Sequence, residues 1–152
     1  MSRKSSFQPA DFLPQSSKAA AIEALSRPPM ANQFSPLAMA LVMSIRLMAA
    51  CQASRHDPLV ELTRRLESLT AAKAVLDFAR ACSRAWPEHA LVNRPCCHAL
   101  TPDEAVFARM VETARAADRQ AFADLLDGLI RRERHGRLFE EAQQVVAALS
   151  HG

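Results

Sequence analysis

The chain has 152 residues, enough for one domain with its own core, and 49% of them are hydrophobic, which excludes a wholly disordered chain. A net charge of +3, with sixteen arginines and three lysines against sixteen acids, is too mild for a dedicated nucleic-acid binder. Tyrosine is absent, glycine is scarce, and Ala, Leu, Arg and Glu dominate; these side chains lose little rotamer freedom in a helix, so the expected fold is all-α.

Residues 1–34 read as an N-terminal arm, extended and partly disordered, with four prolines and one short helical stretch, SSKAAAIEALS. Phe7, Phe12, Leu13, Ile22 and Leu25 would be its contact residues if it ordered on a partner. No apolar signal region opens the chain, so a cytoplasmic, reduced setting is expected. Residues 35–152 read as a bundle of about five helices.

The first helix begins with Ser35 as cap and Pro36 in the first position, where its missing N–H costs nothing. PLAMALVMSIRLMAAC is apolar nearly all round, which marks a central helix or one shared between core and dimer interface. Sixteen residues with Arg46 inside fall short of a membrane span. Asp57 and Pro58 open a second helix, with Leu59, Leu62, Leu66 and Leu69 on one stripe. Thr70 is a candidate cap for a separate helix carrying Val75, Phe78, Cys82 and Trp86, and whether residues 58–86 form one helix or two stays open. Pro87 ends this stretch.

Thr101, Pro102 and Glu104 spell a capping box. The helix it opens buries Phe107, Met110 and Val111, and the next starts at Asp118 with Phe122, Leu125, Leu126, Leu129 and Ile130 on its inner face. Arginines of RRERHG, with Gly136 beyond the end, are expected to close that helix. The last helix, RLFEEAQQVVAAL, completes the bundle.

Chemistry concentrates in NRPCCHALTPDE. Cys96, Cys97 and His98 precede a helix start, where backbone N–H groups and Arg94 favour a thiolate. With His89 and Cys82 they form five candidate metal ligands for zinc, another soft metal or haem, although C-x6-H-x6-C-C-H is no standard zinc spacing. Cys51 and Cys82 lie on apolar faces and read as core. His56 and His135 sit at expected helix ends. Arg131, Arg132, Arg134 and Arg137 read as a solvated helix end interrupted by acids. A helix-turn-helix fails for want of a turn glycine and because its second helix carries Asp124 and Asp127. No nucleotide-binding, zinc-protease or nucleophile-elbow motif occurs.

IRLMAACQASRHDP, RPCCHALTPDEAVF and LLDGLIRRERHGRLFEEAQQVVAAL resemble segments of an uncharacterised group of small all-helical alphaproteobacterial proteins, over residues 40–149. That resemblance implies a helical fold and a role for Cys96 and Cys97, and it transfers no activity. Where this chain has His98 the group often has a third cysteine, which puts a shared ligand set in doubt. The expectation is a non-enzymatic cytoplasmic protein acting on a protein partner or on a second copy of itself. A metal or thiol site at Cys96, Cys97 and His98 is the alternative, and a DNA-binding regulator a weaker one.

Overall fold

The structure, a computed structural model, describes residues 27–151. Among them stand six α-helices and no strand: α1 (Pro36–Ser54), α2 (Pro58–Leu66), α3 (Leu69–Ala85), α4 (Pro102–Arg115), α5 (Arg119–Leu126) and α6 (Arg132–Ser150). The fold is all-α, with six helices rather than about five. Phe7, Phe12, Leu13, Ile22 and Leu25 of the expected arm lie outside the described residues.

Five helices start on a side chain that accepts a first-turn N–H: Ser35, Asp57, Ser68, Thr101 and Asp118. Each such cap satisfies a donor that has no partner inside its helix. Four of these starts are those expected. The fifth corrects the expectation at Thr70: Ser68 caps α3, because Glu67 takes a left-handed conformation at φ 52° and breaks the chain after Leu66. Residues 58–85 are therefore two helices. Trp86, forced extended before Pro87 at ψ 139°, ends α3 as expected.

A second correction falls at the arginine run. The fifth helix stops at Leu126, and Gly128 turns the chain with φ +78°, a conformation that costs little only without a Cβ. Ile130 stays buried although it lies in this turn, since its N–H closes back onto the Leu126 carbonyl at 2.9 Å. Gly136 is thus inside α6 rather than at a helix end. His135 is buried in the first turns of α6, its Nε2 2.8 Å from the Ile130 carbonyl.

The core threads Leu41, Val42, Phe78, Phe107, Met110, Phe122, Phe139 and Val145. Within it α1 packs on α4, and α6 packs on α3 and α4. At 19 residues α1 is long and apolar enough to cross a membrane by length and composition alone, longer than the sixteen residues counted from sequence. Its Ala38, Leu41, Val42, Ser44 and Arg46 are buried within the bundle. Ahead of α1, residues 29–31 run antiparallel to 98–100, with Leu100 N donating to Pro29 O at 2.7 Å and Ala31 N to His98 O at 2.9 Å.

Candidate functional site

The long connection from Trp86 to Leu100 has no regular structure, yet its backbone is held at many points. The anchor is Arg46, only 1% exposed, against Glu104, 0% exposed. Arg46 Nε meets Glu104 Oε1 at 2.8 Å and Nη2 meets Oε2 at 2.9 Å, a parallel fork. The remaining guanidinium donors turn to the loop, Nη1 to Cys97 O at 2.6 Å and Nη2 to Ala99 O at 2.9 Å, with a weak contact from Nη1 to Met43 Sδ of α1 at 3.9 Å.

Glu104 answers in kind. Its Oε1 also accepts from Asn93 N at 2.9 Å and its Oε2 from Thr101 N at 2.9 Å, the second being half of the capping box. Burial alone would raise the Glu104 carboxyl, but the Arg46 fork and the Thr101 and Asn93 amides outweigh it and hold it below its ordinary value. The Glu104 bond conversely raises Arg46 against the effect of burial. Asn93 Nδ2 closes the ring on Ala99 O at 2.8 Å. No buried side-chain nitrogen or oxygen among the described residues lacks a partner, which is the condition for a buried ion pair to be tolerated.

A second set of bonds fixes the loop's first half. Asp103, exposed to solvent in part, takes Trp86 Nε1 on Oδ1 at 3.1 Å and Leu91 N on Oδ2 at 2.8 Å. Thr101 Oγ1 donates to Leu91 O at 2.6 Å while accepting from Glu104 N at 3.0 Å. Both backbone polar groups of Leu91 are thus committed, while its side chain is 68% exposed.

Beside this residue, α1, α3 and the loop enclose an open cleft of about 360 Å³. Ile45, Met48, Ala49, Leu76, Ala79 and Trp86 make its apolar wall, and Arg80, Glu88 and His89 contribute polar groups. Trp86 leans on Phe107 with ring centroids 4.8 Å apart, so the wall is continuous with the core.

The five sequence-selected ligands do not converge: no group of three or more His, Cys, Asp or Glu among the described residues could hold a metal ion. Cys96 and His98 are exposed, Cys97 is half-buried, and His89 is exposed at the cleft. Cys82 is 3% exposed, and burial pushes its thiol far above its ordinary value. All four cysteines are free thiols. It is the Cys97 carbonyl that Arg46 binds, and the Glu104 amide in the first turn of α4 goes to Thr101. Sequence reasoning found Glu104 as a cap and Arg46 as a charge in an apolar helix; it missed Asn93, a polar residue in a connection, and the bonds that Asp103, an acid in the first turn of α4, makes back to Trp86 and Leu91.

No family model matches the chain, and neither a curated protein nor a solved structure matches it.

Proposed function

We propose that this chain is a non-enzymatic helical protein that works by protein–protein association, and that the partner it is built for is a second copy of itself. What carries the reading is Leu91: a large apolar side chain, 68% exposed, on a backbone whose N–H and C=O are held by Asp103 of α4 and by its cap Thr101. Such a knob has little conformational freedom left to lose on binding. The cleft beside it in the chain offers apolar walls of side-chain size, and Ala90 and Val92 on either side of Leu91 line it. A knob and a hole this near each other are the ingredients of a two-fold contact, in which each copy inserts into the other.

Sedimentation of the full chain tests this. Leu91→Asp, a change at an exposed position, weakens self-association by about thirtyfold or more, the loss expected for a central apolar anchor. Ala79→Glu in the cleft wall has the same effect, while Leu91→Met retains association. A wild-type chain that stays monomeric up to millimolar concentration, or a dimer indifferent to both changes, overturns the reading.

A second reading, a thiol or metal site at Cys96, Cys97 and His98, is favoured by one observation. Arg46 and Asn93 pin the Cys97 and Ala99 carbonyls, so exposed Cys96 and His98 stand on a fixed backbone. Elemental analysis of untagged protein decides it: bound zinc or another soft metal lost on Cys96→Ser supports it, and metal-free protein with an unreactive Cys96 ends it. Both readings keep the expectation of a cytoplasmic protein.

A further inference from the structure

The arginines that were expected to close one helix open another. Arg131 is the N-cap of α6 and Arg132, Arg134 and Arg137 follow within its first two turns. The helix runs antiparallel to α3, so these side chains meet the last turn of α3: Arg134 donates to the Arg84 carbonyl. Between the two helices lies a groove of about 200 Å³, lined by Ala81, Ala85 and Leu138 and by Arg84, Arg134, Arg137 and Glu133. Leu138 and Ala81 are buried, so they form its floor; the charged residues are exposed and form its rim.

The rim carries more positive charge than its neighbours neutralise. Among the described residues, Glu133 is the only acid that lines the groove. Asp127 stands 3.9 Å from Arg132, both exposed, and the half-buried Glu141 4.0 Å from the exposed Arg137, both pairs at the outer limit of contact. Surface pairs at such separations contribute little. The positive end of the α6 dipole adds to the same field, so cations here repel both one another and the helix end.

We propose that this groove docks a short acidic segment of a protein partner, one that carries a single apolar side chain between its carboxylates. The volume fits one large side chain over the Ala81, Ala85 and Leu138 floor. Guanidinium forks at Arg84 and Arg137 match carboxylates in a bidentate way. A peptide fits better than a nucleic acid because the floor is apolar, and because Glu133, Glu140 and Glu141 interrupt the positive track that a continuous phosphate backbone would need. The groove shares no lining residue with the α1–α3 cleft, so this inference stands apart from the self-association reading.

The test is fluorescence anisotropy of the full chain with a labelled peptide carrying one leucine flanked on both sides by aspartates, at low and moderate salt. Saturable binding that weakens with salt is expected, and weakens about tenfold in the Arg84→Glu/Arg137→Glu double variant, as two reversed surface contacts predict. Arg64→Glu/Arg65→Glu on α2 leaves it unchanged, as circular dichroism confirms that both variants fold. Sedimentation of the groove variant matches wild type. The proposal is overturned if the groove variant binds as wild type does, or if no saturable binding occurs. It is equally overturned if a serine-for-leucine peptide binds as tightly, or if duplex DNA or anionic vesicles bind more tightly than the peptide.

Discussion

Replacing Glu104 by leucine removes a side chain of nearly the same size and leaves the Arg46 guanidinium buried with its charge unmatched. The carboxylate accepts four hydrogen bonds between 2.8 and 2.9 Å, two from Arg46 and one each from Asn93 N and Thr101 N. Breaking a buried pair from one side costs about 3–5 kcal/mol. Against a total stability of roughly 5–15 kcal/mol that is a large fraction. For a chain of this size it lowers Tm by roughly 6–20 °C. Removing both partners, Arg46→Met with Glu104→Leu, does not restore stability as it does for an ion pair that serves only itself. Asn93 N, Thr101 N and Cys97 O would lose their partners together, and each such orphan costs about 1–3 kcal/mol if it stays dry. The double variant therefore falls close to the worse single one, and proteolysis cuts it between residues 88 and 100. Urea unfolding followed at the helical circular-dichroism band measures all three. A single-variant loss below about 1 kcal/mol, or a double variant more stable than wild type, refutes the reasoning.

Because Glu104 is held below its ordinary carboxyl value, its contribution is complete above the unfolded-state value of about 4.3 and is lost as pH falls through the lower folded value. Urea midpoints should be insensitive to Glu104→Gln in strong acid but differ clearly at neutral pH; equal differences at both would contradict this. Thiol titration of native protein should label Cys96 fastest and Cys97 more slowly, with Cys51 and Cys82 silent until denaturant is added, since both are buried. Rapid labelling of Cys82 would mean that the α1–α3 cleft opens to the core. Two glycine substitutions should move Tm in opposite directions. Gly136→Ala, inside α6 with nothing within 4 Å of the new Cβ, gains about 1 kcal/mol. Gly128→Ala, at φ +78°, loses about 1–2 kcal/mol. Scanning calorimetry checks both signs.

Local signals in the sequence were reliable where the physics is local. Ser35, Asp57, Thr101 and Asp118 cap their helices because a short polar side chain followed by a proline or a helix former acts within three residues. Two boundaries misread for equally local reasons: Ser68 and Thr70 are both competent caps, and RRERHG carries the marks of a helix end although Gly128 makes the turn. Leu129 and Ile130 continue the apolar spacing past that turn, so periodicity alone cannot place it. The clamp was illegible for a different reason. Arg46 and Glu104 lie 58 positions apart, and nothing in either neighbourhood says that a charge in an apolar helix faces inward toward a capping glutamate. Leu91 offered no signal at all, since its exposure depends on Asp103 and Thr101 holding the chain from behind.

The claim beneath these predictions is that a connection without regular structure is held as firmly as the helices around it. Amide hydrogen exchange reads this directly at Leu91, Asn93 and Thr101, whose N–H groups end on Asp103 and Glu104. All three should exchange as slowly as core amides such as that of Met110, and Glu104→Gln should release Asn93 and Thr101. Exchange of all three within seconds in the native protein would contradict the account.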